Sequence, residues 1–205
     1  MSLLLTITGP SCSGKTTLLQ LLCEKYGFSQ ILSTMTRPIR PGEVEGIHGY
    51  FVSKERFAEL VDSVEMSQHI NFSGELYGST WAEVERIVDM GRTPSVIVEP
   101  NGVPQYGAIA EKLGLQKVSI YVQSRVESLV DRYCRRRLGE VVSAEGDTYH
   151  AKRLASIMSE YENWPTAAEY DHFIENCGTV EGLDNLAQQV NNLVNEVKVY
   201  GKSRA

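Results

Sequence analysis

Residues 2–27 read SLLLTITGPSCSGKTTLLQLLCEKYG, and this stretch decides the fold class. Ser2 to Thr8 form a short continuous apolar run, the pattern of a central parallel strand buried on both faces. Gly9-Pro10-Ser11-Cys12-Ser13-Gly14-Lys15-Thr16 follows and fits G-x-x-x-x-G-K-[ST]. TTLLQLLCEKYG then reads as a helix with Leu18, Leu19, Leu21 and Leu22 on its apolar face and Gly27 as its stop. Strand, Gly-rich loop and helix in that order open an α/β fold. The motif is short enough to recur by chance, but its place between strand and helix is what phosphate binding requires. The glycines let backbone N–H groups close around a phosphate, and the helix N-terminus adds positive potential. Lys15 can reach the β- and γ-phosphates, and the Thr16 hydroxyl can ligate Mg²⁺. A nucleoside triphosphate site is therefore expected. Which reaction it serves is not in the motif, since switches, motors and small-molecule kinases share it.

Outward from this core the texture changes. Ser33 to about Gly91 carries Pro38, Pro41, Gly42 and Gly46, a short FVS strand, a helix over KERFAELVDSV, a glycine-containing loop SGELYGSTW and a helix AEVERIVDMG. The stretch looks like a lobe inserted in the α/β core. The core resumes with SVIVE (95–99) and KVSIYVQ (117–123), β-branched runs of strand length separated by a helix near YGAIAEKLG. In SRVESLVDRYCRRR, Ser124 followed by Glu127 reads as a capping box. LGEVVSAEGDT reads as a loop, HAKRLASIMSEYENW as a helix, DHFIEN as a last strand and LDNLAQQVNNLVNEV as a closing amphipathic helix.

A chain of 205 residues can bury a core without disulfides or a structural metal, and it fits one domain with insertions better than two. Its composition, 42% hydrophobic and 22% charged, argues against disorder. Twenty Lys and Arg against 26 Asp and Glu leave a net charge of -6, which argues against a broad nucleic-acid-binding face. Cys12, Cys23, Cys134 and Cys177 have no zinc-like spacing, and reduced thiols in a cytoplasmic protein are expected. No apolar run reaches the roughly 18–20 residues that span a bilayer, so no membrane partner is expected.

A second anion site is legible at Ser33-Thr-Met-Thr-Arg37-Pro-Ile-Arg40-Pro-Gly-Glu. Two arginines three residues apart in a Pro-rigidified turn can converge on one phosphate, with Ser33 or Tyr77 completing the cage. Taken alone, two exposed arginines in a surface loop explain the pattern as well. The blocks GPSxxGKTTL, TRPxRPGEVxG, FVS and SGELYGST, in this order and spacing, resemble guanylate kinase, from Gly9 to about Asn176. The resemblance implies a three-layer P-loop kinase core with a parallel sheet, in which 1–32, 92–135 and 150–205 form the core, 33–91 the monophosphate-binding lobe and 136–149 the lid. It implies ATP with Mg²⁺, held by Gly9, Ser11, Ser13, Gly14, Lys15, Thr16 and Thr17, with Thr16 the metal ligand. Arg37, Arg40, Ser33 and Tyr77 would hold the acceptor phosphate, and Ser79 would touch its base. Arg132, Arg136 and Arg153 look like the arginines that neutralise the transferring group, Lys15, Arg136 and Arg153 being the catalytic set. Asn176 would sit near the adenine. A solvated basic helix end fits the run Arg135-Arg136-Arg137 equally, and which of the three turns inward is open. The partner implied is a nucleoside monophosphate, and the chain would act as a monomer or homodimer. No side-chain base is needed, because the acceptor oxygen is already anionic.

The departures from the family cluster at the base. Gln68 stands where the family has the glutamate that reads guanine. Guanine offers two adjacent donors, so a glutamine loses one contact, at a cost of about 1–3 kcal/mol. The family's D-x-D-x-Q-G becomes Ile97-Val-Glu99-Pro-Asn101-Gly102, leaving Glu99 as the candidate acid, and D-Y-x-F becomes His48-Gly49-Tyr50-Phe51, leaving Tyr50 displaced by one. Phosphorylation of GMP or dGMP by ATP is the leading expectation. A kinase for a different or modified monophosphate, because of Gln68 and Ile97, and a non-catalytic binding module are the alternatives. The intact Gly14-Lys15-Thr16 weighs against the module.

Overall fold

In the computed structural model, which describes residues 2–40, 42–72, 74–137 and 144–202, the opening run is strand β1 (Leu3–Thr8), buried at every position. It lies at the centre of a five-stranded parallel sheet with β2 (Phe28–Gln30), β7 (Thr93–Ile97), β8 (Gln116–Gln123) and β9 (His172–Glu175), in the order β2-β7-β1-β8-β9. Register is fixed on both flanks, with Leu5 opposite Ser95 on one side and Val118 on the other. Burial on both faces is why this strand is continuously apolar rather than alternating.

Helices cover both faces. Helix α1 (Lys15–Lys25) and α7 (Val180–Lys202) bury Leu18, Leu19, Leu22, Leu186 and Val190 against Leu3, Leu5 and Ile7. On the opposite face α3 (Trp81–Asp89) and α4 (Gly102–Lys112) bury Val84, Ile87, Tyr106 and Ile109 against Leu4 and Val96. Gly27 takes a left-handed φ of 74° just past α1, the conformation glycine adopts most readily. The remaining helices are α5 (Val126–Arg137) and α6 (Ala144–Asn163), followed by a short 3₁₀ turn, Trp164–Thr166.

A second sheet, in the order β4-β3-β6-β5, is built from β3 (Thr34–Met35), β4 (Tyr50–Phe51), β5 (Met66–Phe72) and β6 (Glu75–Thr80). Helix α2 (Lys54–Asp62) covers it through Phe57 and Leu60, packed with Met66.

Four readings of the sequence change here. SGELYGSTW is not a loop, because Glu75–Thr80 pairs antiparallel with Met66–Phe72. Gly78, which looked like a loop glycine, is needed in the sheet because a Cβ there would lie 2.5 Å from the Gln68 carbonyl oxygen. Helix α3 falls inside the expected lobe by position but packs on the main sheet. Ser124 does not cap α5, whose first turn instead closes on the Arg125 carbonyl through the Ser128 and Leu129 amides. The expected loop LGEVVSAEGDT ends early, since α6 already begins at Ala144; residues 138–143 lie outside the described residues.

Glu83 joins the two sheets. Its buried carboxylate accepts from the Leu32 amide at 3.1 Å, from the Tyr50 hydroxyl at 3.1 Å and from Arg86 at 2.9 Å. Glu83→Ala leaves the Leu32 N–H unpaired in the interior, and a loss of about 2–3 kcal/mol is expected in urea unfolding. Glu83→Gln, which keeps an acceptor, should lose less.

Candidate active site

The loop between β1 and α1 is shaped by close approaches. Gly9 and Gly14 carry φ of 150° and 94°, and a Cβ on Gly9 would lie 2.5 Å from the Val122 carbonyl oxygen. A Cβ on Gly14 would collide with the Asn176 amide nitrogen. That nitrogen donates to the Ser13 carbonyl at 2.8 Å, and Arg132 Nη1 donates to the Cys12 carbonyl at 2.7 Å. These two carbonyls are held from behind, and the Ser13 amide turns back on the Pro10 carbonyl at 3.1 Å, which closes the loop on itself.

Asn176 thus serves the loop itself. It is 2% exposed and buttresses the loop from within. Arg132 also works from behind the loop, and burial lowers its pKa despite the thiol of Cys12 nearby. Ser13 is buried, whereas Thr16 and Thr17 are exposed at the start of α1.

In front of the loop, a cavity of about 280 Å³ is lined by Ser11, Cys12, Lys15, Thr16, Tyr133, Arg136 and Arg153. Lys15 Nζ donates to the Gly9 and Pro10 carbonyls at 2.6 and 2.7 Å. Burial lowers its pKa to about 8, partly countered by the Glu160 carboxylate. Glu160 Oε2 accepts from the Ser11 amide at 2.6 Å, so a carboxylate already sits on one of the loop's N–H groups. Arg153 Nη2 donates to Ser11 Oγ at 2.7 Å. Of the basic run, Arg136 lines the cavity, while Arg135 turns away to Asp131 at 2.8 Å. Tyr133 meets His150 Nδ1 at 2.7 Å and so ties α5 to α6, the two helices that carry these arginines.

A second cavity, of about 440 Å³, opens beyond the end of β7 and against the smaller sheet. Ser33, Gln68, Tyr77 and Glu99 all line it, together with Asn101 and Tyr106. Ser79 stands behind this wall, fully buried, with its hydroxyl 2.9 Å from those of Ser67 and Tyr106.

Arg37 and Arg40 do not line this cavity, although Arg37 lies near Tyr77, which does. Glu43 accepts both Arg37 Nη atoms at 2.7 Å and the Arg40 amide at 2.8 Å. The Arg37 guanidinium also lies 5.2 Å from the Phe51 ring centroid. The Glu43 hydrogen bond raises the Arg37 pKa, with the Tyr77 phenol adding to it. The Arg40 side chain is exposed.

Tyr50 does not line this cavity. Its hydroxyl goes to Glu83, and its ring lines a separate cavity with Thr34, Arg56 and Arg86. Successive strand residues face opposite sides, so with Phe51 under Arg37 the adjacent Tyr50 is turned away.

Three site residues escaped the sequence reading. Glu160 carried one signal, its position seven residues after Arg153, two helical turns along one face. Glu43 lies within the quoted arginine block, three residues beyond Arg40, where a carboxylate can fold back on the turn. Tyr106 had none, being one apolar-face residue of a helix among others.

The guanylate kinase family model matches residues 1–196. A guanylate kinase of Sus scrofa is 29% identical over 201 residues, covering 96% of each chain. One of Paramagnetospirillum magneticum is 30% identical over 175 residues, 85% of this chain and 77% of the relative. The crystal structure of guanylate kinase from Anaplasma phagocytophilum shares the fold with a TM-score of 0.62, at 24% identity over 95% of this chain and 85% of that one.

The two arginine bonds and the Arg40 amide pull the Glu43 pKa from 4.5 down to about 2. A depressed carboxylate stabilises the turn fully above its ordinary pKa and loses that contribution as pH falls through the depressed value. An NMR titration of the Glu43 carboxyl carbon should give a midpoint near 2, and Arg37→Ala should move it back toward 4.5.

Proposed function

The chain belongs to the guanylate kinase family, and from that premise we propose that it transfers the γ-phosphoryl group of ATP to GMP or dGMP. One observation carries the reading from family to chemistry. Strands β1 and β7 are parallel neighbours, and the helices that follow them, α1 and α4, pack on opposite faces of the sheet. The chain segments leaving their carboxyl ends diverge and open a crevice, the place where such sheets bind ligands. The cationic cavity lies after β1 and the cavity of mixed polarity after β7.

In this reading the loop of Gly9, Ser11, Ser13, Gly14, Lys15, Thr16 and Thr17 takes the triphosphate, with Arg132 and Asn176 holding the loop rather than the nucleotide. Ser33, Arg37, Arg40 and Tyr77 hold the acceptor phosphate, while Gln68 and Glu99 face its base, with Ser79 acting behind Gln68. Residues 33–80 serve as the acceptor lobe, and the facing ends of α5 and α6 as the lid. An acceptor phosphate oxygen attacks the γ-phosphorus as the bond to the β–γ bridging oxygen breaks and ADP leaves. Lys15, Arg136 and Arg153 supply fixed positive charge where the transferring oxygens carry negative charge, so positioning and electrostatics do the work.

Mg²⁺ fits the residues present. The exposed Thr16 hydroxyl lies on the cavity with Lys15, and the described residues hold no cluster of three or more acidic, His or Cys side chains. That suits a small hard cation kept mainly by phosphate oxygens and water. Bound there it would neutralise phosphate charge.

The alternatives are not favoured. The relatives that match along nearly the whole chain are guanylate kinases, which weighs against a different base. A cavity lined by Lys15, Thr16 and two arginines weighs against a non-catalytic module. No described helix is long and apolar enough to cross a membrane. Four free thiols support the expected cytoplasmic setting.

Lys15→Ala should reduce turnover by at least about 100-fold without unfolding the chain. Arg40→Ala should raise the KM for GMP with a smaller effect on kcat; unchanged acceptor kinetics would remove Arg40 from the site. Since burial holds Lys15 near pKa 8, kcat/KM for ATP should fall as pH rises above that value. The slope should approach about one decade per pH unit.

A further inference from the structure

The mixed cavity is read by one residue whose orientation the fold sets. Strand β5 pairs Met66 with Thr80 but Gln68 with Ser79, so Ser67 is an extra residue, a β-bulge. A bulge re-aims side chains, and here Ser67 and Gln68 both reach Ser79. Four polar groups then form a chain. Ser67 Oγ donates to the Ser79 carbonyl at 2.8 Å and lies 2.9 Å from Ser79 Oγ. Ser79 Oγ lies 2.9 Å from the Tyr106 hydroxyl, and Gln68 Nε2 lies 3.1 Å from that hydroxyl. A longer contact of 3.5 Å runs from Gln68 Nε2 to Ser79 Oγ.

Counting protons gives this chain a direction. A backbone carbonyl only accepts, so the single Ser67 proton is spent on it. The Ser79 hydroxyl must then donate to Ser67, and Tyr106 must donate to Ser79. What Tyr106 has left is a lone pair, which calls for an N–H. Burial raises the Tyr106 pKa, so its proton stays in place. Among the described residues, Gln68 Oε1 makes no hydrogen bond, and Gln68 lines the cavity.

We infer that Tyr106 is a specificity-determining residue: it holds the Gln68 amide with its nitrogen to the wall and its carbonyl oxygen to the base, so that position 68 accepts one guanine donor. The Glu99 carboxylate, on the same cavity, is the acceptor for the second donor. A glutamine free to rotate would offer its NH₂ to the adenine edge, where N1 is an acceptor. Locked by Tyr106 it cannot. The inference rests on the guanylate kinase reading and explains how a chain lacking the family's glutamate still selects guanine.

The test is kcat/KM for GMP and AMP on the full chain, measured for wild type, Tyr106→Phe and the double variant Gln68→Glu/Tyr106→Phe. Phenylalanine keeps the packing of α4 and removes only the hydroxyl, which thermal unfolding checks. The GMP:AMP ratio should fall by at least about tenfold in Tyr106→Phe, mainly through KM. It should recover in the double variant, because a carboxylate has no donor to turn toward adenine. A ratio within about twofold of wild type overturns the inference. So does a fall that the double variant fails to rescue, which a merely structural role would produce. Wild-type turnover of GMP with either of these outcomes defeats the inference alone. A wild-type chain that phosphorylates neither GMP nor dGMP defeats the kinase reading as well.

Discussion

The structure turns on how the carbonyl oxygens of one eight-residue loop are held. A peptide that presents its N–H groups to an anion must put its C=O groups elsewhere, and buried carbonyls need donors. Arg132 supplies one for Cys12 and Asn176 one for Ser13. The first belongs to α5 and the second follows β9, so the far half of the chain must be folded for the loop to be set. Gly14 is part of the same constraint, since the Asn176 amide occupies the space a side chain would need. Both residues, expected as nucleotide contacts, bond in the fold to carbonyls of the loop itself.

The front of the loop shows the complementary arrangement. Lys15 bonds to loop carbonyls, Glu160 sits on the Ser11 amide, and Arg153 reaches Ser11 Oγ. Cation and carboxylate thus satisfy one another where phosphate charge is to be accommodated, and a nucleotide exchanges one set of charge-assisted bonds for another. The acceptor side follows the same logic, with Glu43 holding Arg37 and the Arg40 amide in the turn. In the proposed reading both anion sites are kept ordered by an internal carboxylate.

Specificity is set on a different principle. In the reading proposed above, the direction of hydroxyl protons along Ser67, Ser79 and Tyr106 orients the neutral Gln68 amide, and the Glu99 carboxylate on the same cavity supplies the charged acceptor. The bulge at Ser67 and the bare Cα of Gly78 let β5 and β6 approach closely enough for that chain to form.

The sequence by itself determined the phosphate loop, its strand and its helix, because the glycine pattern, the apolar run and the helical face are all local. It also placed Arg37, Arg40, Ser33, Tyr77 and Gln68 in one lobe, since they lie in blocks close along the chain. Tertiary structure alone decided the rest. The Asn176–Ser13 bond joins residues 163 apart, Arg132–Cys12 120 apart and Glu160–Ser11 149 apart, separations at which no periodicity or motif speaks. Tyr50 shows the same limit at short range: its type and approximate position suited a phosphate, but the face it occupies follows from strand register, which pairing with β3 fixes.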